Sequence, residues 1–230
     1  MMLRYVFVFI VAVFVSTILL ITSQVTPELY IALTEEGKNL EFLTAIFYLL
    51  GGISLLYVAA KQRKVHLLSS IFILLLGLFF IFIGGEEESW GQWMFNYDVS
   101  ESVKQINTQD EINIHNLNIF KGALNPHFVL NLFIFLFGVV LPILAASIAY
   151  VRELINDFQF PIVSVPLSAW FLISLLYEKI AAIVFTTDST VELWRHIEIM
   201  EFLFSVGILA FSISLIKSFK GRSKPENPAT

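Results

Sequence analysis

The sequence predicts an all-α polytopic membrane protein, a bundle of six transmembrane helices with both chain ends in the cytoplasm. Of its 230 residues, 57% are hydrophobic and 14% are charged, and the mean hydropathy is +0.79. A soluble domain carries about 25% charged residues. The apolar residues also come in blocks of roughly 20, the length at which a helix crosses a bilayer. These observations exclude a single soluble core.

Six apolar blocks define the predicted spans. They occupy residues 5–22, 40–60, 67–84, 128–150, 160–179 and 197–216. Backbone groups in hydrocarbon must be hydrogen-bonded internally, and the blocks lack the period-2 alternation of membrane strands, so helices are predicted. The short basic start before the first block resembles a signal peptide, but no small-residue cleavage site follows. We therefore expect an uncleaved anchor.

The basic residues predict the orientation. Nine of the 14 fall on one side of the predicted bundle, at Arg4, Lys61, Arg63, Lys64, Arg152, Lys217, Lys220, Arg222 and Lys224. Because Lys and Arg accumulate in cytoplasmic loops, this side is predicted to face the cytoplasm of a bacterial inner membrane. Residues 85–127 then form a cap of short helices and loops on the outer face. The polar segment 217–230 is predicted to be a disordered cytoplasmic tail.

Composition also limits the chemistry and the partners. There are no cysteines, which excludes disulfides, thiolate zinc sites, iron–sulfur clusters and cysteine nucleophiles. No basic tract indicates a nucleic-acid partner. The expected partners are membrane lipid and a protein subunit of a membrane complex.

The end of the third span carries the first candidate site. Gly84 and Gly85 fit a helix C-cap, and Glu86, Glu87 and Glu88 follow directly. Three adjacent carboxylates at a membrane boundary repel one another and are partly desolvated, so at least one requires a raised pKa or a cationic partner. Glu86 and Glu87 are therefore candidate catalytic residues.

The next residues have structural interpretations as well as functional ones. Ser89 with Gln92, and Asp98 with Glu101, fit capping boxes that begin short helices. Trp90, with Trp93, fits an interfacial aromatic belt. Gln92 is also a candidate catalytic residue, and Trp90 a candidate substrate-binding residue.

The outer loop carries a recognisable pattern. It reads Glu86-Glu87-x-Ser89-Trp90-Gly91-Gln92, then Asn107-x-Gln109-x-Glu111-x-Asn113-x-His115-Asn116. This resembles the signature of a family of uncharacterised bacterial multi-pass membrane proteins. It departs from that signature at Trp93, where a basic residue is expected, and at Asp110, where a small or different polar residue is expected. The resemblance implies a shared site without a named reaction. It directs attention to His115 as a catalytic candidate and to Asn113 and Asn116 as substrate-binding candidates.

Further ionisable residues are predicted at the same membrane depth. They are Glu41, His127, Glu178, Lys179, Arg195, His196, Glu198 and Glu201. Glu192, Arg195 and Glu198 step by three along one helix and can form an ion-pair ladder. Arg195 and the deeper Glu201, where charge is costly and faces the bundle interior, are candidate substrate-binding residues. His127 and His196 are candidate metal ligands, since imidazole and carboxylate groups suit a divalent metal.

Three functions remain open. The first is a membrane-embedded enzyme with an outward-facing carboxylate and histidine site that acts on a lipid-linked or envelope substrate. The alternatives are a non-catalytic subunit or assembly factor, and an ion- or proton-coupled transporter. A comparison with CAAX-processing membrane proteases fails on two points: Gln92 replaces that family's arginine, and its Phe-x-x-x-His motif is missing.

Overall fold

The structure, a computed structural model, describes residues 2–35, 39–95, 97–107, 110–120, 125–184 and 191–222. It confirms the all-α class. Six helices are long and apolar enough to cross a membrane, over Phe7–Val25, Asn39–Gln62, Leu67–Glu87, Pro126–Ser147, Val165–Val184 and Trp194–Phe219. The chain is a multi-pass membrane protein.

Eleven α-helices are found in the described part of the chain. They are α1 (Met2–Val25), α2 (Pro27–Leu33), α3 (Asn39–Gln62), α4 (Leu67–Glu87), α5 (Gln92–Phe95), α6 (Glu101–Lys104), α7 (Pro126–Ile134), α8 (Leu141–Ser147), α9 (Ala149–Asp157), α10 (Val165–Val184) and α11 (Trp194–Arg222). A π-helical segment, Phe135–Val140, joins α7 to α8 within one membrane span. The segment between α4 and α7 is called the cap, and its side of the bundle the cap side. The opposite side, where α11 ends, is the tail side.

The pair α3 and α4 forms the most extensive helix contact, with α11 packed on the other face of α3. A Cβ atom built on Gly52 would lie 2.7 Å from the Gly77 carbonyl oxygen. Only glycine allows the two backbones to approach this closely, which is how small residues bring membrane helices together. The α3–α4 contact therefore fixes the position of the cap-side end of α4.

A layer of aromatic rings crosses the middle of the bundle. Tyr48 stacks on Phe80 with ring centroids 5.9 Å apart, and Phe133 stacks on Phe137 at 5.5 Å. Phe80 also contacts Phe133, and Phe137 contacts Phe211. Four of the five rings are less than a tenth exposed. The fifth, Phe133, is partly buried and packs against them. These five rings are called the ring layer.

Several helix ends differ from the predicted ones. The prediction for the fourth span is 128–150, but its helix ends at Ser147, and Ile148 is extended, with φ −115° and ψ 113°. The amphipathic α9 follows as a separate helix. The fifth span begins at Val165 instead of residue 160, with Pro166 in its first turn, where the missing N–H of proline is tolerated. It continues to Val184.

The connection between the first two predicted spans, residues 23–39, contains α2, which begins at Pro27. This proline is favourable in the first turn, where its missing N–H costs nothing. At the other end of the chain, α11 continues through Arg222, so residues 217–222, predicted as part of the disordered tail, are helical. Residues 223–230 lie outside the described residues.

Candidate functional site

The end of α4 determines where the adjacent carboxylates point. The helix continues through Gly84 and Gly85 to Glu87, so the predicted glycine C-cap is wrong, and Glu88 is the C-cap residue. A Cβ atom on Gly84 would lie 2.9 Å from the Ala45 carbonyl oxygen. The glycine is thus explained by close packing on α3. Because successive helical residues are about 100° apart, Glu86 and Glu87 face different surroundings.

Glu86 is buried and accepts hydrogen bonds at both carboxylate oxygens. Oε2 accepts from the backbone N–H of Ile114 at 2.6 Å and of His115 at 3.1 Å. Oε1 accepts from the indole N–H of Trp90. His115 Nδ1 lies 3.6 Å from Oε2. Glu86, a predicted catalytic residue, is therefore occupied in holding the cap onto α4.

Glu111 is the second buried carboxylate of the cap. Its Oε2 accepts from the Ser89 hydroxyl at 3.0 Å, the Asn116 amide at 3.3 Å and the Asn113 amide. The Asn113 amide also donates to Ser89 Oγ at 3.1 Å. Asn113 and Asn116, predicted to bind substrate, are instead bound to this carboxylate.

Gln92 and Asn107 tie the two halves of the cap together. Gln92 Oε1 accepts from the Ile112 N–H at 2.8 Å, and its amide donates to the Asp110 carbonyl at 3.2 Å. Asn107 donates to the carbonyl and side-chain oxygens of Asn113. These contacts and those of the two carboxylates form the cap network, which consists of Glu86, Ser89, Trp90, Gln92, Asn107, Glu111, Asn113 and Asn116.

Both predicted capping boxes are wrong. Ser89 does not cap α5; it begins a turn in which Ser89, Trp90 and Gly91 all have positive φ, at 44°, 56° and 88°. The N-cap of α6 is Ser100 instead of Asp98, and it makes no side-chain capping bond. Asp110 also has positive φ, 56°, a conformation that favours glycine or a short polar residue.

A cavity of about 140 Å³ lies beneath the cap between α4, α7 and α11. Its polar lining comes from residues distant in sequence, namely Glu86, Glu87, His115, His127 and Glu201. Its apolar lining consists of Phe82, Ile83, Ile114, Phe120, Pro126 and Leu130. Four groups predicted to share a depth, Glu86, Glu87, His115 and Glu201, therefore share a cavity.

A side-chain contact in the cavity joins His127 to Glu201. His127 Nδ1 lies 2.8 Å from Glu201 Oε1, and Glu201 is 5% exposed. The His115 ring packs edge-on against the His127 ring, with centroids 6.0 Å apart. A carboxylate at Nδ1 selects the tautomer in which Nδ1 carries the proton, which leaves Nε2 able to accept one.

Glu87 differs from the other cavity carboxylates. No hydrogen-bond or ion-pair partner of its carboxylate is found among the described residues, and the carboxylates of Glu201, Glu198 and Glu41 act on it electrostatically. The next carboxylate, Glu88, lies outside the helix. Burial, and then the charge of Glu111, raises the pKa of Glu88 above the ordinary glutamate value.

Arg195 and His196, predicted to bind substrate and metal, serve another part of the molecule. Arg195 donates to the carbonyls of Ile31 and Thr34, and pairs with Glu192 at 3.5 Å. His196 Nδ1 lies 2.7 Å from the Tyr30 hydroxyl, which also contacts the Tyr177 hydroxyl at 3.1 Å. Both residues therefore hold α2 against α10 and α11, away from the cavity lining.

The two predicted metal ligands are not brought together, since His127 lines the cavity and His196 does not. Within the described ranges, no group of three His, Asp or Glu residues has an arrangement that could hold a metal ion. The pairing of His127 with Glu201 was not predicted. In the sequence, the only signal for this pairing is that each residue lies near the outer end of a predicted membrane span.

Comparisons of this chain with protein-family models, with curated proteins and with solved structures found no match. The geometry of the cavity is therefore the basis for a functional proposal.

Proposed function

We propose that this chain is a membrane-embedded enzyme of the bacterial inner membrane, with the cap on the outer face, acting on a lipid-linked or envelope substrate. The observation that carries the proposal is the 2.8 Å contact between His127 and Glu201 in a cavity that also contains Glu87. General acid–base catalysis uses a base that another side chain holds in place, here His127 with Glu201. It also uses a second group that transfers a proton, here Glu87.

In this mechanism Glu201 orients His127, and His127 Nε2 accepts a proton from an attacking water. Glu87, in its protonated form, donates a proton to the leaving group as the bond to it breaks. The two side chains then exchange protons with solvent and return to their starting states. The apolar lining excludes bulk water, which strengthens electrostatic interactions among these groups.

Cells that lack this chain provide the test when they are complemented with wild type or with His127→Gln, Glu87→Gln or Glu201→Gln. We expect the amount of one lipid or envelope species to differ between cells that lack the chain and cells that express wild type. None of the three variants should produce that difference. His66→Gln is the matched control, because His66 lies at the opposite end of α4 from the cavity, where its ring accepts a hydrogen bond from the backbone N–H of Ser69. If all three cavity variants, inserted and folded, restore the wild-type profile, the proposal is wrong.

The non-catalytic subunit is the second candidate, because the cap exposes large apolar side chains. Phe95 is 71% exposed and Ile119 is 79% exposed. A protein partner that covers them would make Phe95→Ser and Ile119→Ser defective while the cavity variants remained active. The transporter is less well supported, since the ring layer lies between the cavity and the tail side.

A further inference from the structure

The cavity is a crevice between two helices that touch deeper in the bundle. Phe79 and Phe80 of α4 contact Phe133 of α7, with ring centroids 5.2 and 6.1 Å apart. Nearer the cap, Glu87 and His127 line the space between the same two helices. Glu201 of α11 also lines this space, and the contacting rings of α4 and α7 lie deeper in the bundle.

The cap forms the roof of the crevice. Ile114, His115 and Phe120 line the cavity from above. The backbone N–H groups of Ile114 and His115 are bound to Glu86 on α4, so the roof is fastened to one wall. Described cap residues therefore line the cavity on its cap side.

The remaining side of the crevice faces outward from the bundle. Phe82, which lines the cavity, is 39% exposed on the surface of a membrane-spanning helix. On α7, the side chain of the lining residue His127 is 37% exposed, and Phe128 on the same helix is 60% exposed. Large apolar side chains exposed on membrane-spanning helices contact lipid. The cavity wall is therefore continuous, at Phe82, with the lipid-facing surface of α4.

We propose that the crevice opens sideways into the bilayer and admits the hydrocarbon chain of an amphiphile from the surrounding leaflet. Phe82, Ile83 and Leu130 offer an apolar lining suited to such a chain. The polar groups are concentrated near the roof, where the amphiphile's head group joins its chain. The assignment of the reacting bond to that junction, beside His127 and Glu87, rests on the proposed function.

Spin labels test the opening directly, because the chain has no cysteine and each variant carries a single one. Leu130→Cys, which lines the cavity, is labelled with a nitroxide and reconstituted in phosphatidylcholine vesicles. Its collisions with oxygen, which partitions into lipid, and with a water-soluble nickel chelate are measured by EPR power saturation. Ile134→Cys, one turn deeper on α7 and 0% exposed, is the matched control. Phe128→Cys and Glu101→Cys provide lipid-exposed and water-exposed references.

We expect the label at 130 to show the high oxygen and low nickel accessibility of the label at 128, while the label at 134 is protected from both reagents. Nickel accessibility at 130 resembling that at 101 would show an opening to water and overturn the proposal. Protection equal to that at 134 would also overturn it. If Leu130→Cys does not fold, Ile83→Cys on the opposite wall supports the same measurement, and each outcome has the same meaning there.

The result is separable from the proposed function. His127→Gln in the Leu130→Cys background should leave both accessibilities unchanged, because the glutamine removes the base without closing the crevice. A lateral opening with cavity variants that complement fully would refute only the enzymatic proposal. Loss of complementation together with a water-accessible label would refute only the lateral opening.

Discussion

Glu86 and Glu87 are neighbours in the sequence but belong to two regions with opposite chemistry. Glu86 is part of the cap network, where both of its oxygens accept hydrogen bonds from the backbone and from Trp90. Glu87 lines the cavity, where no hydrogen-bond partner of its carboxylate is found in the described part of the chain. The polar residues of the cap thus mainly hold the cap on the bundle, whereas two of the three proposed reacting groups, His127 and Glu201, come from membrane-spanning helices.

The largest expected effect is a loss of enzymatic turnover when a cavity residue, and not a cap-network residue, is changed. His127→Gln should lower turnover by about 10²–10⁴-fold, the usual contribution of a general base. Turnover is measured on the species identified by complementation, with purified protein in lipid vesicles. The thermal unfolding temperature of the variant should stay close to that of wild type, because the glutamine amide can still donate a hydrogen bond to Glu201. A variant with a few-fold loss only would show that His127 is not the base.

The next effect separates the two neighbours by stability. Glu86→Gln removes the charge from a buried acceptor of three hydrogen bonds, and bonds to charged groups contribute about 1.5–3 kcal/mol each. We expect a loss of roughly 3 kcal/mol, measured as a lower unfolding temperature in detergent. Glu87→Gln is the matched control and should unfold no earlier than wild type. Equal losses for both would contradict the division between the two regions.

A smaller effect is expected within the cap network. Asn113→Ala removes the donor that joins Ser89 to Glu111 and leaves buried acceptors without it, at a cost of about 1–3 kcal/mol. Asn118→Ala is the control, because the Asn118 amide makes a single long contact, 3.5 Å, at an exposed site. Circular dichroism during heating provides the comparison. Indistinguishable melting curves would show that the hydrogen bonds of Asn113 do not stabilise the cap.

The smallest effect concerns Glu88 and pH. Its pKa in the folded protein is raised by burial and by Glu111, so the folded state binds more protons than the unfolded state just above the ordinary glutamate pKa. Stability should therefore fall as pH rises through that window. Glu88→Gln should remove this slope and increase stability at neutral pH by less than about 1 kcal/mol, because solvent screens a partly exposed charge. An unchanged slope in denaturation measured across the window would contradict the assignment.

The fold was largely predictable because a bilayer imposes a strong constraint on length and hydropathy. All six spans were located from apolar blocks. The errors lie at the ends, where hydropathy carries little information. Helix α10 begins later than its apolar block does, and the break at Ile148 has no apolar signal because the chain on both sides remains hydrophobic.

The site was predictable only as a common depth. Sequence identified Glu87, His115, Glu201 and His127 as groups near one membrane boundary, and the structure brings them into one cavity. Depth does not give rotation about a helix axis. Arg195 and His196 lie at a similar level but face α2 and α10, so their predicted roles do not fit their contacts. The polar residues of the cap likewise form hydrogen bonds with one another. These pairings depend on how the loop folds, which the sequence pattern does not reveal.

The ring layer has a consequence for energy coupling. Because aromatic rings of α4, α7 and α11 pack together in the bundle interior on the tail side of His127 and Glu201, we expect protons released by those groups to return to the cap-side medium. Catalysis in the cavity would then move no charge across the bilayer. Its rate should accordingly follow the acidity of one compartment and be insensitive to the transmembrane voltage.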